Sequence, residues 1–165
     1  MKKVFLIALF LSLATMAFAV DFKIQVDGPR HDFHHFWVGT GFTPARLLLD
    51  EQMQQQMDYC GGVPNEGLLY VRPHNLLRLV ETRGWEEGPV TYDWSKLDQA
   101  LDVFVDNGLR PFLEIMGSPG PHFDDLWAAD KELIQRDYRL FVKDLAAHLI
   151  DRSGCAEARS WSFET

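Results

Sequence analysis

A chain of 165 residues that is 47% hydrophobic carries enough apolar material for one domain-sized core, which excludes an intrinsically disordered protein. Its formal charge of −8 makes nucleic acid and anionic membrane surfaces poor partners.

At the start of the chain, Lys2 and Lys3 precede an apolar run from Val4 to Leu13, and Ala17-Phe18-Ala19 supplies the small residues that a signal peptidase requires. Residues 1–19 are therefore expected to be a removed signal peptide. The run is short of the roughly 20 residues that a membrane span needs, so no membrane association is expected after cleavage. The mature chain is expected to be secreted or periplasmic, and losing two lysines makes it more acidic still. Cys60 and Cys155 lie far apart in a chain bound for an oxidising compartment, so a disulfide between them is a candidate, although two cysteines are no framework.

"HFWVGTGF" (35–42) begins as an aromatic, β-branched run and ends in glycines, as a strand entering a loop does. A helix is predicted from about Asp50, with Leu49, Met53, Met57 and Cys60 on one face and Gly61-Gly62 closing it. "GLLYVRPH" (67–74) is a continuous apolar run and reads as a second, buried strand. The spacing of "HNLLRLVETRG" (74–84) predicts a short helix, followed by the turn-rich "WEEGPVTYD" (85–93). From Asp93, Trp94, Leu97, Leu101, Phe104 and Val105 share a helical face that ends at Asn107-Gly108. "LRPFLEIMG" (109–117) is a third strand. A third long helix is predicted from Asp130, with Ile134, Tyr138, Phe141, Leu145 and Leu149 in one stripe up to Ser153-Gly154, and "SWSFE" (160–164) is the fourth strand.

The order is strand then helix, four times over, without the last helix, and right-handed crossovers put such strands side by side and parallel. The fold class is α/β. Either a small open sheet or the first half of a (β/α)8 TIM barrel satisfies the pattern; "GTGFTP" lacks the third glycine of a dinucleotide-binding loop. No internal repeat or linker divides residues 20–165, so one unit is expected there.

Both architectures bind ligands at the C-terminal ends of the strands, which here carry Gly39 to Pro44, Arg72 to Asn75, Glu114 to His122, and Glu164. Arg72 and His74 flank Pro73 and can face the same mouth, with Glu114 beside them on the third strand. Arg72 can orient a carboxylate through paired hydrogen bonds or form a structural pair with Glu114, and both readings stay open. His122 lies in the Gly- and Pro-rich "GSPGPHFDD" loop, where functional and ordinary polar residues both occur. The "HDFHH" cluster (31–35) suggests a metal, but a strand sends His34 and His35 to opposite faces and no second ligand pair has the right spacing. No metal or other cofactor is expected. Trp37, Trp94 and Trp161 read as core or wall residues.

"HFWVGTGF", "DEQMQQQMDYCGGVPNEGLLYVRPHNLLRLVETRG", "YDWSKLDQALDVFVDNGLRPFLEIMGS" and "WSFET" together resemble the N-terminal part of family 39 glycoside hydrolases, the α-L-iduronidases and β-xylosidases, with the iduronidase branch closer. The likeness covers nearly all of residues 35–165 in the same order. It implies the barrel rather than the open sheet, a carbohydrate substrate, and a retaining mechanism through a covalent glycosyl-enzyme. It also implies that F-E-T continues into W-N-E-P, whose Glu is the acid/base, with the nucleophilic Glu further on. Neither catalytic Glu is then in this chain, which is expected to be inactive alone, and Glu164 is the acid that precedes the motif. By the same resemblance Arg72 orients the nucleophile and His74 lines the sugar pocket, while Glu114 and His122 lie on the substrate-binding rim. After "GTGF" the chain departs from the iduronidase pattern, since "TPARLLLDEQ" enters the first helix sooner. The competing readings are a non-catalytic secreted carbohydrate-binding or interaction protein, or a truncated product without activity. Four parallel strands with no fifth leave an exposed barrel edge, so self-association is expected there.

Overall fold

Four short parallel strands organise the chain in the computed structural model, which describes residues 22–24, 26–29, 37–63, 67–85, 89–124 and 131–164. The expected signal peptide and the "HDFHH" histidines lie outside the described residues. The chain divides into two units, Met1–His34 and His35–Thr165, and all regular elements described here belong to the second.

In chain order these are β1 (Gly39–Phe42), α1 (Glu51–Gly61), β2 (Tyr70–Pro73), β3 (Glu81–Arg83), β4 (Thr91–Asp93), α2 (Ser95–Asp106), β5 (Arg110–Glu114), α3 (Pro121–Asp124), α4 (Lys131–Ser153), α5 (Cys155–Ala158) and β6 (Ser162–Glu164). Single 3₁₀ segments, Ala45–Leu49 and Leu76–Leu79, follow β1 and β2. The main sheet has the order β1-β2-β5-β6, all parallel, with Gly41 opposite Arg72 and Glu114 opposite Glu164.

Side chains alternate across the strands, so the sheet has two unlike faces. Val71 and Leu113 point to the face that the helices cover, and both are buried in one apolar cluster. That cluster takes Met57 from α1, Leu97, Ala100, Leu101 and Phe104 from α2, and Phe141, Leu145 and Leu149 from α4. Among the described side chains, the helical stripes read from the sequence are thus the packing faces, with one exception. Val105 is 52% exposed, because the buried arc of α2 is centred on Leu97 and Phe104 and extends the other way, through Ala100 and Val103.

Polar contacts fasten the helices to the sheet and to each other. The Tyr138 hydroxyl donates to the Ile115 carbonyl (3.1 Å), and that of Tyr92 donates to Asp144 Oδ2 (2.8 Å). Asp98 of α2 receives His148 (2.8 Å) and Arg152 (3.1 Å) of α4.

The helix predicted over residues 74–84 does not form. Leu76, Leu77, Leu79 and Val80 are all buried, but the chain makes only a 3₁₀ turn over Leu76–Leu79 before Val80 turns extended (φ −100°, ψ 129°) and enters β3. β3, at the end of the stretch expected to be helical, then pairs antiparallel with β4, at the end of the stretch expected to be a turn, with Thr82 opposite Tyr92. Cross-strand pairing and burial override a weak local helical preference here. Trp161 is buried and Trp94 packs against the core, whereas Trp37 is 45% exposed rather than a core residue. Cys60 and Cys155 are free thiols, so the candidate disulfide is absent. Among the described residues, no helix is long and apolar enough to cross a membrane.

Candidate active site

On the face away from the helices, the strand ends bring together Arg72 of β2, Glu114 of β5 and Glu164 of β6. Each occupies the same face of the sheet because parallel register aligns the alternation: Tyr70 and Arg72, Phe112 and Glu114, Ser162 and Glu164. Arg72 Nη2 pairs with Glu114 Oε1, and Arg72 Nε donates to Glu164 Oε2 at 2.6 Å. His74 Nδ1 lies 2.5 Å from Glu114 Oε2, and the backbone N–H of Asn75 donates to the same oxygen at 3.1 Å.

Glu114 is 1% exposed, whereas Arg72, His74 and Glu164 are 37%, 36% and 41% exposed at their side chains. The cluster is therefore a buried carboxylate at the centre of a partly open rim. The hydrogen bond from Arg72 holds the Glu164 carboxyl below the usual carboxylate range, with a smaller effect from the Arg72 charge. In return, Glu164 foremost and then Glu114 raise the Arg72 guanidinium, against a lowering by desolvation.

The loop after β2 needs one unusual backbone conformation. Asn75 sits at φ 63°, in the left-handed region that Asn enters more readily than most residues, and the turn points its N–H at Glu114. Gly117 closes over it at φ 99°; a Cβ there would lie 3.3 Å from Asn75 Cα. A cavity of about 380 Å³ opens beside the cluster, lined by Gly39, Gly41, Tyr70, Arg72, Phe112 and Ser162 among others. A Cβ on Gly41 would come within 2.9 Å of the Arg72 carbonyl oxygen, so the strand that passes Arg72 must be bare there.

Of the site residues read from sequence, Arg72, His74 and Glu114 meet, but His122 belongs to a different cluster. Its Nε2 lies 3.0 Å from Asp137 Oδ2, and its ring stacks on Trp85 at 5.1 Å and 6°. Asp137 is buried and also pairs with Arg136, so His122 ties α3 to α4. Sequence reading missed Asp137, because a lone acid within a helix carries no signal of burial. It also missed Asn75 as a backbone donor, although an Asn directly after Pro-His was a cue for a left-handed turn. Among the described residues no group of His, Cys, Asp and Glu could hold a metal ion.

Charged groups converging at the C-terminal ends of parallel strands, beside a cavity, define an α/β protein with a candidate site where such sheets carry their ligands. The chain matches the glycosyl hydrolases family 39 over residues 20–165, and it belongs to that family. It is 36% identical to the Homo sapiens protein "Alpha-L-iduronidase" over 151 residues, 86% of this chain and 23% of that one. Among solved structures, a bacterial orthologue of human α-L-iduronidase superposes with a TM-score of 0.67 at 41% identity, over 79% of this chain and 20% of the other. A family 39 β-xylosidase from Caulobacter crescentus gives a TM-score of 0.55 at 26% identity, over 76% and 29%. The chain thus spans under a third of the length of these relatives.

Proposed function

We propose that this chain forms the first four β/α units of the (β/α)8 catalytic barrel of a secreted, retaining glycoside hydrolase that cleaves O-glycosidic bonds of iduronide- or xyloside-like substrates. The observation that carries the reading is the Arg72, Glu114, Glu164 and His74 cluster at the ligand-binding ends of parallel strands in a family 39 chain. In that reaction one carboxylic acid protonates the leaving oxygen while a carboxylate about 5 Å away attacks the anomeric carbon, and water later releases the sugar. The two carboxyl groups are those that the family resemblance expects beyond Thr165.

Arg72 has the chemistry to hold a nucleophilic carboxylate ionised and aimed, since a guanidinium beside it favours its charged form. His74, a third exposed at the same mouth, has a ring edge for a sugar hydroxyl. Tyr70 and Phe112 offer apolar surface to the ring.

The test uses the purified chain with aryl α-L-iduronides and aryl β-xylosides, measuring turnover and binding separately. The expected result is no turnover, with binding to one of the two classes that weakens about tenfold in His74→Ala, the worth of one hydrogen bond. Turnover that Arg72→Met abolishes would overturn the assignment of both catalytic carboxylates to other residues, and binding to neither class would overturn the sugar site.

A second reading, a non-catalytic carbohydrate-binding protein built from copies of this chain, draws on β1 and β6 each pairing on only one side among the described residues. Free parallel edges invite association. A monodisperse monomer that unfolds cooperatively would count against it.

A further inference from the structure

We propose that Glu114 is a positioning residue that sets the hydrogen-bond polarity of the mouth: Oε1 holds the Arg72 guanidinium, Oε2 holds His74 as its Nδ1–H tautomer, and the mouth therefore presents Arg72 Nη1 as a donor and His74 Nε2 as an acceptor. The inference rests on the reading above that this mouth is the glycoside site. It changes the role expected for Glu114, which at 1% exposure has no surface to offer a sugar.

An ionised carboxylate only accepts hydrogen bonds, so every atom close to it must bring a hydrogen. His74 Nδ1 is 2.5 Å from Oε2, a separation at which two lone pairs would repel, so the hydrogen is on Nδ1. In the neutral ring the other nitrogen is then unprotonated, and Nε2 becomes an acceptor. The position of His74 is fixed through the backbone as well. The next residue, Asn75, donates its N–H to the same oxygen from a left-handed turn, so one carboxylate holds both the ring and the chain that carries it.

Arg72 is constrained from two sides. Its Nη2 goes to Glu114 and its Nε to Glu164, which leaves Nη1 without a partner among the described residues. Both side chains are more than a third exposed, which leaves room at the mouth for groups that meet the atoms not tied to Glu114 and Glu164. The mouth thus fits a pair of groups of opposite polarity: an anionic oxygen at Arg72 and a hydroxyl that donates to His74. A hydroxyl replaced by an ether or a hydrogen loses the second contact.

The nitrogen-15 labelled chain tests this through the long-range proton–nitrogen spectrum of His74 at about pH 8.5, above the ordinary imidazole range. The expected result is a protonated Nδ1 and a bare Nε2. In Glu114→Met the tautomer ratio should move toward Nε2–H by about tenfold, the worth of one charge-assisted contact. Glu164→Gln should leave the ratio unchanged while the Arg72 Nε–H exchanges faster. An Nε2–H signature in the parent, or an unchanged ratio in folded Glu114→Met, overturns the proposal, and if that variant does not fold the parent spectrum decides alone. The Nδ1–H signature together with no glycoside binding would overturn the sugar reading and leave the positioning role standing.

Discussion

Replacing Glu114 by Gln keeps the shape of the side chain and removes only its charge and one acceptor. The parent carboxylate meets three donors: Arg72 Nη2 at Oε1, and His74 Nδ1 and the Asn75 N–H at Oε2. A glutamine can turn its carbonyl to the two donors on one side, but its NH2 then faces the guanidinium, donor against donor. One charge-assisted contact is lost at an atom that water cannot reach, at a cost of about 1.5–3 kcal/mol. The guanidinium side is partly open to water, which recovers some of this, so the expectation falls at the lower end, about 1.5 kcal/mol. With a urea m-value of about 2 kcal/mol/M, the unfolding midpoint should drop by about 0.7 M, read by tryptophan fluorescence. Glu164→Gln should shift it less, because Glu164 is 41% exposed and water takes its place at Arg72. A Glu114→Gln midpoint equal to the parent's, or smaller in effect than Glu164→Gln, would refute the picture of Glu114 as the buried centre of the cluster.

The Glu164 carboxyl is held below its ordinary value chiefly by the Arg72 hydrogen bond, so its stabilising effect is complete above the ordinary carboxylate range and is lost as pH falls through the lowered value. Urea midpoints measured from about pH 7 to about pH 3 should therefore draw together for the parent and Glu164→Gln toward the acid end, and a gap that stays constant would contradict this. The Tyr92 hydroxyl is held well above the ordinary tyrosine range, first by burial and then by its bond to Asp144. Folded protein should retain that proton after unfolded chain has lost it, so stability should fall as pH rises above 10, less steeply in Tyr92→Phe, and tyrosinate absorbance should lose a late-rising component in that variant. Gly41→Ala would press a Cβ against the Arg72 carbonyl at 2.9 Å, where backbone cannot yield cheaply, at a cost of about 1–3 kcal/mol in thermal or urea unfolding. Phe104→Ala, at a fully buried position between α2 and the sheet, should cost about 3–5 kcal/mol by the same measurement, enough to leave a marginal domain largely unfolded.

How much of the site could be read in advance depended on whether a residue's role is set by its neighbours in sequence. Arg72 and His74 flank Pro73 at the end of an apolar run, and that local pattern marks them as strand-end residues of one mouth. Glu114 was legible as a neighbour of theirs, but not as a buried group. His122 looked like a rim residue because its loop is rich in Gly and Pro, while its ring is committed to Asp137 and Trp85, fifteen and thirty-seven residues away in the chain.

The amino-acid sequence by itself determined the three long helices and three of the four principal strands, since hydrophobic period and the Gly, Pro and Asn breaks act over one or two turns of chain, whereas the first strand forms on Gly39–Phe42, the glycine stretch read as the loop. Tertiary structure alone decided the β3–β4 hairpin, the burial of Glu114 and the bond from Arg72 to Glu164. These depend on which strands lie side by side and in what register. A hydrophobic pattern states which face of a strand is buried, but the register of the parallel sheet puts Glu164 opposite Glu114 and brings a β2 arginine between them, across 42 and 92 residues of chain.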